Sequence, residues 1–164
     1  MKELLQALQA RLATVEHLRY IDSDWGQMNL EQPPVKYPAA LIDIQSAEYS
    51  NQGRRAQRGV VKFVVTLCKE RLSRTNIAAK PESKESAAKF WELYRDVNCA
   101  LHTQPLGIEN FGAPVRLGMQ HKVARGIEQI AITYQVAFAD LSTEPTYIPS
   151  SNVKVKIKQI TLIS

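Results

Sequence analysis

The residues that could do chemistry in this sequence are few and widely separated. None of the three histidines, His17, His102 and His121, has metal-ligand spacing to a cysteine, aspartate or glutamate. No serine lies in a GxSxG turn, no glycine-rich loop could hold a phosphate, and no pair of carboxylates is placed for acid and base roles. The sequence therefore favours a protein that is not an enzyme and that uses no cofactor, metal or small-molecule substrate. We expect His121, which alternates with apolar residues, to be a core histidine.

Two other small patterns have non-catalytic interpretations. Asp22 and Asp24 are spaced like half of a calcium loop, but the remaining acidic ligands and the closing glutamate are missing, so no metal site is predicted. Cys68 and Cys99 are too few and too far apart for a disulfide framework or a metal site. We expect both to be buried, reduced thiols.

Basic residues give a different kind of candidate site. The net charge is +5 and the pI about 9.3, which permits contact with an acidic surface or a nucleic acid. Neither the aromatic pair of an RRM nor the GXXG loop of a KH module is present, so sequence-specific reading is not expected. Non-specific contact with phosphates and a merely solvated basic surface both stay open. The basic interaction candidates are Arg54, Arg55, Arg58, Lys154, Lys156 and Lys158.

The three arginines among these candidates lie on a predicted hairpin. Residues 59–70, GVVKFVVTLCKE, alternate apolar and mixed positions and are rich in β-branched residues, which predicts a strand buried on one face. A second strand is predicted from Ala40 to Ile44. The polar segment between them, YSNQGRRAQR, is typical of a hairpin connection. The predicted unit is an antiparallel hairpin with an arginine-rich tip.

Two amphipathic helices are predicted on either side of this hairpin. The first carries a short apolar stripe made of Leu4, Leu5, Leu8, Leu12 and Val15. This stripe either docks on the domain's own sheet or binds a partner. The second is expected to be capped by Ser83 and to lie across the sheet with this stripe: Phe90, Tyr94, Val97 and Leu101. Prolines in EQPPVKYP predict an extended lead-in to the hairpin.

The last part of the chain predicts two more strands and a tail. The final strand has large apolar residues on one face, whereas the other is small and polar, with Ala131, Thr133 and Ala137 as interaction candidates that let another backbone approach closely. After a proline- and serine-containing linker, Val153, Val155 and Ile157 alternate with lysines, as in an edge strand. This segment either folds back on its own domain or is lent to a neighbouring sheet.

Together these elements predict one domain. A chain of 164 residues can bury a proper core, and its apolar runs fall far below the ~18 residues that a membrane span needs. The fold class is α+β: a single domain with a mainly antiparallel sheet of about four strands, packed against two helices, and a strand-like C-terminal tail. Residues 1–141 form the domain, and residues 142–164 the linker and lysine-rich strand. Strand residues such as Phe63 and Leu41 should share one core with the second helix.

The order of these elements resembles phage tail terminators and related small neck proteins. The segments that carry the resemblance are YPAALIDI, RGVVKFVVTLCKE, KFWELYRDVNCALHT and IEQIAITYQVAFAD, within residues 1–141. It implies a structural protein of the virion tail or neck, cytoplasmic during assembly, that caps the tail tube and joins it to the head. It also implies a homo-oligomeric ring, commonly a hexamer, in contact with tail-tube and neck proteins. A non-specific nucleic-acid-binding accessory protein is the alternative.

Overall fold

The computed structural model describes residues 1–53, 56–70 and 80–142, which form two α-helices and a five-stranded sheet. A 3-10 turn, Gln27–Asn29, lies between the first two strands. The elements in chain order are α1 (Lys2–Leu12), β1 (Tyr20–Ser23), β2 (Ala39–Gly53), β3 (Ala56–Glu70), α2 (Pro81–Leu101), β4 (Val115–Ala124) and β5 (Ile127–Asp140).

The sheet has the strand order β1-β2-β3-β5-β4. All neighbours pair antiparallel except β1 and β2, which run parallel from Tyr20↔Ala39 to Ser23↔Ile42. The α+β class is confirmed, but the prediction of about four mainly antiparallel strands is corrected to five in a mixed sheet. The additional strand, β1, is only four residues long and lacks a fully buried residue, so its sequence shows no clear alternation.

The central hairpin is longer than its sequence pattern predicts. The polar segment expected as a connection belongs to the strands, since Tyr49 pairs with Gly59 and Asn51 with Gln57. The ends of β2 and β3 near the hairpin tip, residues 46–53 and 56–60, form an arm that extends away from the core. Polar residues on this arm show no period-two apolar signal, although their backbones still pair. Residues 54–55, between the two strands, lie outside the described residues.

The core lies between the two helices and one face of the sheet. Phe63, Phe90 and Tyr134 are its largest fully buried side chains, and the rings of Phe63 and Tyr134 stack with centroids 5.4 Å apart. The predicted shared core is thus largely observed, with Tyr94 only partly buried at its margin. Leu41 is an exception, because it lies on the opposite face with Ala39 and Cys68.

Both helices cover this face through the predicted stripes. Leu4, Leu8 and Leu12 are fully buried, so the apolar stripe of α1 packs on its own domain. Helix α2 begins at Pro81, ahead of the predicted cap at Ser83. Proline suits the first turn of a helix because the N–H that it lacks would have no partner within the helix.

Strand β4 departs most from its predicted alternation. A bulge between Arg116 and Gly118 shifts the register against β5, which interrupts the expected apolar row. His121 is exposed and is not the core histidine expected from the sequence, because β4 lies at the margin of the helical layer. Cys99 is likewise exposed on α2, contrary to expectation, whereas Cys68 is buried.

Candidate assembly surface

The sheet face opposite the helices carries small and polar side chains, and we call it the open face. Its positions alternate with buried core residues: Lys62, opposite Gln135, lies between Val61 and Phe63. No helix in the described ranges packs on this face, since the core cluster holds the buried residues of both helices. The open face consists of Ser46, Glu48, Arg58, Val60, Lys62, Val64, Ala131, Thr133, Gln135, Ala137 and Ala139.

The three small residues predicted as interaction candidates all lie on the open face. Thr133 is opposite Val64, and Ala137, which is exposed, is opposite Val60. Ala131 lies closer to the base of the sheet, beside the segment around Met28. The three residues form a strip of small side chains along β5. Its use as a contact remains a prediction.

We call the end of the sheet away from the hairpin tip its base. There, a loop covers the end of the open face. Met28 and Tyr37, from the segment before β2, pack against a small cluster that contains Leu41 and Cys68. Burial raises the pKa of the Cys68 thiol to about 12. The rest of the open face, toward the hairpin tip, is left uncovered by this loop.

An aromatic cluster packs on the arm of the sheet near the hairpin tip. The Phe138 ring stacks on Phe111 at 5.4 Å and meets the edge of Tyr49 at 5.3 Å. Gly59 lies directly beneath it, and a Cβ there would come within 2.5 Å of the Phe138 ring and 2.6 Å of the Glu48 carbonyl oxygen. The alternating pattern of β3 does not reveal this requirement. The sequence feature that indicates such a close approach is a single glycine near the start of a strand that is otherwise rich in β-branched residues.

The two outer edges of the sheet carry opposite charges. The acidic edge is formed by β1, the residue after it and the outer side of β2, with Asp22, Asp24, Asp43 and Glu48. The basic edge is formed by β4 and the turn that follows, with Arg116, His121, Lys122 and Arg125.

Most of these charges also have partners within the chain. The Glu48 carboxylate is 3.2 Å from the Lys62 ammonium, yet its side chain remains 73% exposed. On the other edge, Arg116 donates a hydrogen bond to the Tyr94 hydroxyl at 2.7 Å. These local pairs leave the charged groups at the surface, where a neighbouring molecule could still meet them.

A polar and aromatic group links β4 to the outer side of α2. His121 Nε2 is 2.9 Å from a carboxylate oxygen of Glu128, and its ring lies 5.5 Å from that of Trp91. Trp91 is 44% exposed and also meets Tyr94 edge to face at 6.0 Å. His121 therefore belongs to a surface cluster at the basic edge.

The basic candidates are only partly within the described structure. Arg58 is exposed on the open face, opposite Ser50 on one side and Ala139 on the other. The other basic candidates fall outside the described residues, so their placement is untested: Arg54, Arg55, Lys154, Lys156 and Lys158. The same holds for the division into residues 1–141 and 142–164.

Neither a metal-binding cluster nor a membrane-spanning helix is found among the described residues. They contain no group of three or more histidine, cysteine, aspartate or glutamate side chains placed to hold a metal ion. Among the same residues, neither helix has the length and apolar character required to cross a bilayer.

No family model and no curated protein matches the chain. Among solved structures, it is similar to a chain in the virion of a native gene transfer agent particle, at 14% sequence identity and a TM-score of 0.42. The match covers 81% of this chain and 84% of that one. A likeness at this level carries no argument about function.

Proposed function

We propose that this protein is a structural subunit of a phage-type virion, without enzymatic activity, that assembles into a ring at the tail or neck. In this role it caps the tail tube and joins it to the head, with tail-tube and neck proteins as its partners. The observation that carries the proposal is the open face, a sheet surface of small and polar residues that both helices leave free. Such a surface suits close packing of one protein on another.

The order of elements supports the same role. The elements follow the order of the tail terminators that the sequence resembles: a helix, a strand preceded by prolines, a long hairpin, a covering helix and a closing pair of strands. The structure adds the short parallel strand β1 to that order. The proposal of a tail-terminator role in particular, and of a hexamer, rests on this resemblance.

A ring requires a heterologous interface, in which one patch of each subunit meets a different patch of the next. The strip around Thr133 and Ala137 provides one candidate patch. The lysine-rich segment from Val153 to Leu162 provides another, since a strand-like tail can add main-chain hydrogen bonds to an open sheet edge. We expect association to strengthen with concentration or on a tail-tube template, and to weaken when residues 150–164 are removed.

Sedimentation of the full-length and truncated proteins over a wide concentration range tests the proposal. We expect a closed oligomer of the full-length protein and weaker association of the truncated one. A strict monomer at every concentration, with or without tube protein, would contradict the ring. Binding of such a monomer to DNA, with steep salt dependence, would instead support the nucleic-acid accessory role, for which exposed Arg58 is the described candidate.

A further inference from the structure

We propose that the subunits of this assembly join edge to edge, with β4 of one copy pairing along the outer side of β2 in the next. This inference rests on the proposed self-assembly and adds an edge-to-edge contact to the candidate patches named above. The occupant of each edge is therefore the opposite edge of a second copy of this chain.

The first step concerns the backbone at the two edges. Strand β1 pairs with β2 only from Ala39 to Ile42, so no described strand continues the sheet beside Asp43–Gly53. Among the described strands, β4 is the last in the sheet and pairs only with β5 on its inner side. The Arg116 N–H at its start donates to His102 Nδ1 at 3.1 Å, so the part of this edge open to a partner begins after Arg116. Unpaired N–H and C=O groups on such edges are a ready template for pairing with another chain.

The second step concerns length and regularity. Strand β4 has 10 residues, and the unpaired part of β2 from Asp43 to Gly53 is closely similar in length. From Gly118 to Ala124 the pairing of β4 with β5 is uninterrupted, so this part of the edge is regular. The β2 edge has register shifts at Ile44/Ser46 and Asn51/Gly53 and is regular between them, from Ser46 to Asn51. The two regular stretches, six residues on β2 and seven on β4, are similar enough in length to pair.

The third step is charge complementarity. On the open-face side of these edges, β2 carries Asp43 and Glu48 and no basic residue, whereas β4 carries Lys122 and no acidic one. Arg116 and His121 lie on the helix-covered side, beside Tyr94 and Glu128. Opposite charges across paired strands are favourable, and like charges are unfavourable. Two acidic edges or two basic edges would repel each other, so charge selects the pairing of unlike edges.

The fourth step is apolar exposure along the same edges. Val115, Leu117 and Val123 are 41%, 50% and 45% exposed on β4, and Tyr49 is 51% exposed on β2. An exposed apolar edge favours aggregation unless something covers it. A neighbouring strand would cover both sets of side chains.

The topology also fixes the symmetry of this contact. The two edges lie at opposite ends of the strand order, so they cannot pair within one chain. Each subunit would offer its basic edge to one neighbour and its acidic edge to the other. Such a head-to-tail contact gives a ring when the rotation closes.

Reciprocal charge reversal in the full-length chain tests the pairing. The acidic edge is reversed by Asp43→Lys with Glu48→Lys, and β4 is made acidic by Gln120→Glu with Lys122→Glu. We expect each reversal alone to weaken association at least tenfold and the combination of both in one chain to restore most of it. Glu92→Lys, on the exposed side of α2, is the matched control and should associate like the parent. Thermal unfolding of each variant verifies that it folds.

Crosslinking tests the head-to-tail geometry independently of charge. In a Cys99→Ser background, one protein carries Ser46→Cys on β2 and another Gln120→Cys on β4. With a short bis-maleimide, the mixture should give a crosslinked dimer of the two variants, and neither alone should. Crosslinking of either variant with itself would indicate like edges in contact and would overturn the inference.

The outcomes separate this inference from the proposed function. Rings that persist unchanged in both reversal variants would overturn the edge pairing and leave the structural role intact. Assembly abolished by removing residues 143–164 but unaffected by either reversal would make the tail the occupant, again against the inference. A parent protein that never associates would contradict both.

Discussion

The two faces of the sheet differ in what they carry and in what covers them. Phe63 and Tyr134 on the helix-covered face are fully buried, whereas Val64 and Thr133, next to them in the chain, are only partly buried on the open face. The same two strands supply both faces. One face holds the subunit together, and the other is free to serve a contact with a second molecule.

The largest effect is expected when side chains on the two faces of β3 are truncated, Phe63 on the covered face and Val64 on the open face. Phe63→Ala should lower the free energy of unfolding by ~3–5 kcal/mol, because it removes a fully buried ring and leaves a cavity. Phe90→Ala, from α2, should cost a similar amount. Val64→Ala is the matched control on the open face and should cost about 1 kcal/mol or less. Urea unfolding measures all three, and equal losses for Phe63 and Val64 would contradict the contrast.

A second test asks whether the arm depends on the close approach at Gly59. In Gly59→Ala the new methyl group would meet the Phe138 ring and the Glu48 carbonyl oxygen, and overpacking of this kind costs ~1–3 kcal/mol. Gly118→Ala is the control, since a Cβ at Gly118 has no atom within 4 Å. We expect faster amide hydrogen exchange in the arm of Gly59→Ala alone. Equal exchange in both variants would show that the ring moves aside without cost.

A third test uses the buried ionisable groups of the two faces. Burial raises the pKa of Cys68 from 9.0 to about 12, and burial also raises that of Tyr134. The folded protein therefore holds these protons where the unfolded chain has lost them, so stability is full below pH 9 and falls as pH rises toward 12. Cys68→Ala has a pH-independent cavity cost, but its stability should fall less steeply over that range.

The same thiol gives a simple reactivity measurement. Exposed Cys99 should react with iodoacetamide in the native protein, whereas Cys68 should react only on unfolding. Modification of both thiols at equal rates under native conditions would show that the base of the open face is not closed by the loop around Met28.

Sequence reasoning recovered the covered face far better than the edges. β3 and β5 alternate strongly because one side of each is buried, so Phe63 and Tyr134 were placed correctly. The position of Thr133 on the opposite face follows from the same alternation. Leu41 was placed on the wrong face because the base of β2 is buried on both sides and its apolar run has no clear period.

The features that reasoning from sequence missed depend on neighbours that are distant along the chain. The contrast between the acidic and basic edges appears only once the strand order places β2 and β4 apart. The need for glycine at position 59 comes from Phe138 on another strand. His121 lies opposite buried Ile130, on the helix-covered face, and is exposed because β4 is an edge strand, which an alternating pattern does not reveal.

The smallest effect on stability is expected at the hairpin tip. Replacing Arg54, Arg55 and Arg58 together by Ala should change the free energy of unfolding by no more than ~0.5 kcal/mol, as is usual for surface substitutions. Arg58 is exposed, and the other two lie outside the described residues. Three like charges within five positions are nevertheless unfavourable unless acidic groups or phosphates face them.

We therefore expect this triple variant to fold like the parent but to assemble less well, as measured by sedimentation beside an Arg95→Ala control from the exposed side of α2. Weaker DNA binding by the triple variant, with assembly unchanged, would place the tip in the nucleic-acid role instead. Parental behaviour in both assays would mean that the tip is only solvated surface. The open face would then act in assembly through its small residues alone, and the contrast between the two faces would not depend on charge at the arm.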